Sequence, residues 1–224
     1  MPFLIKFKGV IYLRYDRAFS NFGTLTKTIK NMSTIPAGKP RELAPSGSHN
    51  AVCIQVIDLG TQPSRTEGWD DQRKCQLAFQ LVDESTTDGK AIVVYKEYTY
   101  SSGSKSKLSK DIKAWLSLKD LNDFEMDTLL GKSCIVTVTH NESKSNGNTY
   151  ANVTNISGLT KGAKVRKHTE PLISLYLDET FDQETFDNLP EFMRNKISGT
   201  PEYAEIFAAA KKTSAKKPKA KAKR

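Results

Sequence analysis

Residues 91–116 read AIVVYKEYTYSSGSKSKLSKDIKAWL, and within this stretch the hydrophobic period changes from two to nearly four. Up to Tyr100 the pattern is that of a strand: Ile92, Val94, Tyr98 and Tyr100 share one parity, and Val93, Tyr95, Glu97 and Thr99 share the other. From Leu108 onward Ile112, Trp115 and Leu116 fall at i+4, i+7 and i+8, which is one face of a helix, with Ser104 or Ser106 available as its N-cap.

Upstream, residues 50–59 form an apolar, β-branched run that ends at Gly60, and residues 75–83 alternate Cys75, Leu77, Phe79 and Leu81 against polar or small neighbours. Both read as strands. The polar stretch Thr61–Lys74 between them reads as a long loop, and Thr87-Asp88-Gly89-Lys90 as a turn with positive φ at the glycine. Downstream, Leu121, Phe124, Leu129 and Leu130 suggest a short helical turn that stops at Gly131. Strands resume at 133–140 and at 149–157, separated by a polar loop with Asn146-Gly147. Three strands, a helix and a hairpin is the order of a five-stranded OB-fold barrel whose helix lies between strands three and four. The expected class is therefore mainly β, with the barrel at 50–168.

The flanks differ from this body. The chain has 224 residues and a formal charge of +9, but the basicity is terminal: +5 in residues 1–31 and +8 in 211–224, leaving −4 between. Residues 1–31 mix apolar residues with scattered Lys and Arg. Lys6 and Lys8 interrupt the apolar region and no small-residue cleavage site follows, so a secretory signal is not indicated. The stretch reads as an atypical extension with Met32 as an alternative start, and a chain beginning at Met32 is expected to fold and bind like the full one. A drop in melting temperature on that truncation would refute the expectation. Residues 32–49 read as a flexible lead-in. Residues 169–210, at −7, read as an acidic, partly helical segment, with helices after Pro190 and from Pro201. Residues 211–224, mostly Lys, Ala and Pro, read as a disordered basic tail.

Several classes of chemistry lack a motif. No apolar run approaches the roughly 18–20 residues of a membrane span. Cys53, Cys75 and Cys134 are odd in number and unpaired in spacing, which argues against a disulfide framework or thiolate zinc site and suits a reducing, cytoplasmic compartment. His49, His140 and His168 have no ligand partner at metal spacing. The pairs Asp70-Asp71 and Asp83-Glu84 sit beside turn residues. No phosphate-binding glycine loop, nucleophile elbow or deaminase signature occurs. The chain is accordingly read as a non-enzyme, with no metal and no cofactor.

The aromatics and cations carry more. A barrel buries one face of each strand, so either Tyr95 or the Tyr98/Tyr100 pair must face outward. A tyrosine outside, beside Lys96 and the Ser101–Lys107 run, has the makings of a base-stacking platform with phosphate contacts. Trp69 sits in a polar loop near Arg73 and Lys74. Lys105 and Lys107 lead into the helix, whose polar side carries Lys110 and Lys113. Lys144 lies between strands four and five, where a loop borders the binding face of an OB barrel. Trp115, on the apolar helix face, belongs to the core. The candidate nucleic-acid-binding residues are thus Trp69, Arg73, Lys74, Tyr95, Lys96, Tyr98, Tyr100, Lys105, Lys107 and Lys144.

The run from Gly47 to Gly162, about half the chain, carries Asp58-Leu59-Gly60-Thr61-Gln62, Tyr98-Thr99-Tyr100-Ser101, Lys107-Leu108, Leu130-Gly131-Lys132 and Tyr150-Ala151-Asn152-Val153. In these motifs it resembles the OB-fold single-stranded DNA-binding proteins of tailed-phage replication and recombination modules. The resemblance implies a sequence-indifferent coat on single strands in the host cytoplasm. It also implies an acidic tail that recruits replication or recombination proteins, a part that residues 170–191 would play here, although a basic tail follows them. A second reading is an interaction module for a replication protein, in which only the basic tail touches nucleic acid. A third, a nuclease or ligase fragment, lacks a metal or nucleotide site. The acidic segment is expected to compete with DNA for the barrel's own groove, and the tail to add non-specific phosphate contacts.

Overall fold

The computed structural model describes residues 3–7, 10–14, 42–64, 66–144, 147–163 and 165–214. The chain divides into two units, Met1–Pro40 and Arg41–Arg224. In the first, β1 (Phe3–Phe7) and β2 (Val10–Arg14) pair antiparallel as a two-stranded sheet of their own. The sequence pattern of this stretch carries no strand periodicity, so this pairing is not expected from it. Two short runs of β-branched and aromatic residues on either side of Lys8-Gly9 are what a hairpin requires.

The second unit holds β3 (Gly47–Gln62), β4 (Gln72–Ser85), β5 (Ala91–Thr99), α1 (Lys107–Leu116), a 3-10 turn at Met126–Leu129, β6 (Ser133–Glu142) and β7 (Thr149–Ser157). After these come β8 (Ile173–Leu175), α2 (Gln183–Asp187), α3 (Glu191–Ser198) and α4 (Pro201–Ser214). The strands form one six-stranded sheet in the order β5-β4-β3-β6-β7, antiparallel throughout except that β8 pairs with β3 in parallel. Its hydrogen-bonding is open, because β5 and β7 are its ends. The two ends are bridged by a side chain: the Lys96 ammonium donates to the Thr154 carbonyl at 3.0 Å.

Two strands are longer than their hydrophobic patterns suggested, so the expected 61–74 loop shrinks to residues 63–71. The polar ends still pair, Thr61 with Arg73 and Gln62 with Gln72, across a register shift between Asp58 and Gly60. Gly60 lies at φ +68°, and a Cβ there would come within 2.6 Å of the Thr200 hydroxyl oxygen, so glycine is required at this bulge. The polar groups of this end find distant partners. Glu202 accepts from the Thr61 amide at 3.0 Å, and Gln62 donates to the Lys196 carbonyl at 3.2 Å.

The inner face of the sheet builds the main core from Ala51, Cys53, Val56, Leu77, Phe79, Leu81, Ile92, Val94, Cys134, Val136, Val153 and Ile156. Helix α1 closes over it with Leu108, Ile112 and Trp115. The Trp115 ring meets Phe79 edge-on at 5.8 Å, and its Nε1 donates to the Ser133 carbonyl at 2.8 Å, which is the core position its helix face implied. Ser106 is the N-cap by position, but its hydroxyl caps nothing.

A second core lies on the other face. Ile57 and Leu59 of β3 pack with Leu175, Leu177, Phe186, Leu189, Met193 and Ile197. Phe181, Phe186, Tyr203 and Phe207 form a chain of ring contacts, with centroids 4.7–5.9 Å apart. The helices expected after Pro190 and from Pro201 are both present, joined by β8 and α2. The acidic segment is therefore a structured layer with most of its apolar residues inside, Leu172 and Phe192 excepted, and Asp178, Glu179, Asp182, Glu184 and Asp187 outside. Leu175, Leu177, Phe186 and Leu189 are spent on this packing, which leaves fewer apolar residues of the segment to compete for the barrel groove. Helix α4 continues to Ser214, into the stretch read as tail, and residues 215–224 lie outside the described residues. Part of the lead-in is tied down as well: Ala44 is buried and Glu42 accepts from the Thr87 amide at 2.9 Å. Among the described residues no helix is long and apolar enough to cross a membrane.

Candidate nucleic-acid interface

The parity of β5 is decided by packing. Ile92, Val94 and Tyr98 are buried and Tyr100 packs against the same core, so Tyr95 points the other way and is 44% exposed. Its cross-strand neighbour is Ala78, a small residue buried in a cluster with Val52, Ile54 and Val82. Along that outer face the segment after β7 crosses β4, where Gln80 accepts from the amides of Thr169 and Glu170 and donates to the Thr169 hydroxyl. What stays open is the outward side of β5 and the 63–71 loop. In that loop Trp69 is 67% exposed; its amide donates to the Thr66 carbonyl, and Asp71 accepts from the Ser64 amide at 3.0 Å.

Tyr98 lies inside. Its hydroxyl donates to Asp111 Oδ2 at 2.7 Å, and burial, reinforced by that carboxylate, pushes its pKa up. Asp111 also receives Lys96 at 3.1 Å and Lys107 at 2.6 Å. The Lys96 side chain is only 12% exposed and its ammonium sits 5.2 Å from the Tyr98 ring centroid. Burial lowers the Lys96 pKa, an effect that Asp111 only partly offsets. Lys96, Tyr98 and Lys107 thus converge on one buried carboxylate at the seam where the sheet is open.

Arg73 is engaged by Asp58, a buried carboxylate on β3, through its Nε at 3.1 Å and through Nη2. Its guanidinium lies 5.7 Å from the Tyr100 ring centroid, and the half-buried Tyr100 faces the core. Lys74 pairs with Glu97 at 3.1 Å, and Lys196 of α3 pairs with the same carboxylate. Burial of Glu97 opposes its ionisation, yet the hydrogen bonds from Lys196 and Lys74 win and lower its pKa. Lys105 and Lys144 are exposed, and Lys107 keeps more than half its surface in water.

The ten candidates consequently fall into two sets. Trp69, Tyr95, Lys105, Lys107 and Lys144 present groups to solvent. Arg73, Lys74, Lys96, Tyr98 and Tyr100 are held by protein partners from behind. The acids that hold this second set are Asp58, Glu97 and Asp111, and of these Asp58 and Asp111 carried a signal in the sequence that went unused. Asp58 interrupts an otherwise apolar strand, and Asp111 stands four residues after Lys107 on a helix. Sequence reasoning also passed over Phe192 of α3, which is 67% exposed.

Cys53, Cys75 and Cys134 are free and buried, and burial pushes the thiols of Cys53 and Cys75 up to about 12, so none is a ready nucleophile. Among the described residues no three His, Cys, Asp or Glu side chains are grouped to hold a metal ion. Neither the family models nor the curated proteins compared with this chain gave a match.

Proposed function

We propose that the chain is a sequence-indifferent single-stranded DNA-binding protein built on an OB-type barrel and acting in phage-type DNA replication or recombination in the host cytoplasm. The strand order β5-β4-β3-β6-β7, with α1 between β5 and β6, supports the barrel reading because it is the order of a five-stranded Greek-key barrel, here joined at its seam by Lys96. The carrying observation is that Tyr95 and Trp69 keep large aromatic surface in water on a protein that has two apolar cores to bury it in. Aromatic faces held open on a strand and its adjoining loop are what base stacking uses, and stacking tolerates any base because every base has a π-face. Lys105, Lys107 and Lys144 supply phosphate contacts. Arg73, Lys74, Lys96, Tyr98 and Tyr100 support this surface from within. The exposed carboxylates of 178–187 form the surface on which replication or recombination partners would be recruited.

The test is a salt-series titration against single-stranded and duplex oligonucleotides. Tyr95→Ala and Trp69→Ala are each expected to weaken single-strand binding by about 1–3 kcal/mol with an unchanged melting temperature, since both rings are exposed. Unchanged affinity in both variants would overturn the stacking surface. Equal affinity for single strands and duplex would favour a protein-interaction module whose basic tail alone touches nucleic acid, because phosphate neutralisation by a run of cations does not select single strands.

A further inference from the structure

A pocket of about 260 Å³ opens where the end of β5 meets α1 and the segment before the 3-10 turn, with Tyr100, Leu121, Phe124 and Met126 among its walls. All four border the main core. Ser101 and Ser102, both exposed, form its lip. The lip is held in place by its own chain: Ser101 Oγ accepts from the Gly103 amide at 3.2 Å, and the Ser102 carbonyl accepts from the Ser109 hydroxyl at 2.8 Å. Lys105 and Lys107 follow in the run from this lip into α1, and both are exposed. The loop that carries Trp69 lies at the same end of the sheet. It leads into β4, whose start is tied to the end of β5 by the Tyr100 amide donating to the Arg73 carbonyl at 2.8 Å and the Thr99 hydroxyl donating to Gln72 Oε1 at 2.9 Å.

Size and lining limit the occupant. A cavity of about 150 Å³ holds a benzene ring, so this pocket has room for a heterocycle of one or two rings. It falls short of the roughly 300–1,000 Å³ that encloses a drug-sized ligand, and is too small for a whole nucleotide. The walls offer two aromatic rings with aliphatic and thioether surface, and the lip offers two hydroxyls. A hydroxyl both donates and accepts, so the lip can meet the edge of any base and selects none, which agrees with sequence-indifferent binding. The charges around the mouth set the direction of approach. Lys105 and Lys107 stand on one side, and the exposed carboxylates of Asp120, Asp123 and Glu125 flank the wall segment on the other. A ligand that carries its negative charge outside the ring is therefore steered to the lysine side.

We propose that this pocket takes one base of the bound single strand, turned out of the stack, with its flanking phosphates on Lys105 and Lys107. The inference rests on the single-strand reading and adds to it a site closed to the paired bases of a duplex, since turning a base out costs least where the strand is already single. Of the four methionines, Met126 lines the pocket and Met193 lies in the second core. Methionine labelled with ¹³C at the methyl group, in the full chain, thus gives a reporter and an internal control. Saturating oligothymidylate is expected to shift the Met126 signal and leave that of Met193 in place. An abasic strand of the same length keeps the phosphates but should move neither. Leu121→Trp fills the pocket with a ring of the protein's own, and is expected to abolish the Met126 shift and weaken oligothymidylate binding by about 5- to 150-fold, the worth of one stacked base. Should that variant not fold, the abasic comparison on the unaltered chain decides without a substitution. A Met126 signal that oligothymidylate leaves in place, or that the abasic strand moves equally, would overturn the pocket even where single strands are preferred and Trp69→Ala weakens them. So would full affinity in a folded Leu121→Trp chain. If the unaltered chain binds duplex as tightly as single strands, the single-strand reading itself falls, and the pocket with it.

Discussion

A chain that ends at His168 is expected to lose its cooperative unfolding transition or to precipitate. That cut removes β8 and α2–α4 and exposes Ile57 and Leu59, both fully buried in the second core. Exposing two such side chains costs about 1.5–3 kcal/mol each, before the loss of the β3–β8 ladder and of the Gln80 and Thr61 hydrogen bonds. Against a total stability of about 5–15 kcal/mol for a domain, this removes much or all of the margin. Urea unfolding followed by intrinsic fluorescence is the measurement, with binding of a hydrophobic dye reporting the opened β3 surface. A truncated chain that unfolds at the midpoint of the full one would show that the C-terminal layer is an appendage. If it also bound single strands more tightly, competition by the acidic segment would return as the explanation. A cut after Ser214 leaves both cores intact and is expected to leave the midpoint unchanged.

Asp58→Ala is expected to destabilise the protein by about 3–5 kcal/mol, the range for breaking a buried ion pair by removing one partner. The Asp58 side chain is 1% exposed and joins three parts of the molecule. It receives Arg73 from β4, the Gly60 amide of its own bulge at 2.9 Å, and the Leu177 amide of the C-terminal layer at 3.4 Å. Arg73 Nη2 reaches the Leu177 carbonyl at 3.4 Å, so the pair grips that peptide segment from both sides. Removing the carboxylate leaves a partly buried guanidinium and two amides without their acceptor. Arg73→Ala should cost less, because Asp58 keeps its amide donors and Arg73 is over a third exposed. The double variant should cost less than the sum of the two, as coupled partners do. A loss below about 1 kcal/mol for Asp58→Ala, or strict additivity in the cycle, would show that this pair does not join the two cores.

The amino-acid sequence by itself determined the elements whose signals are local. The strand at 149–157, the helix that ends at Leu116, the Asp88-Gly89 turn with Gly89 at φ +75°, and the helix after Pro190 all follow from period, capping and turn chemistry within a few residues. Even the second core left a trace. Residues 51–59 are apolar with little alternation, the mark of a strand buried on both faces, and a layer over the outer face is what that run required. Tertiary structure decided the rest, wherever the deciding partner lies far along the chain. The end of β3 remains a strand, and pairs with the polar start of β4, because Glu202 and Lys196 satisfy it from more than 130 residues away. The parity of β5 allowed either Tyr95 or Tyr98 outside, and the position of Asp111 beneath Tyr98 settled it. Lys74, Arg73 and Lys96 look alike in sequence to Lys105 and Lys144, since a cation carries no local sign of whether a carboxylate will face it. Only the fold brings Glu97, Asp58 and Asp111 to the first three, and so only the fold separates cations that hold the protein together from those left to meet a phosphate.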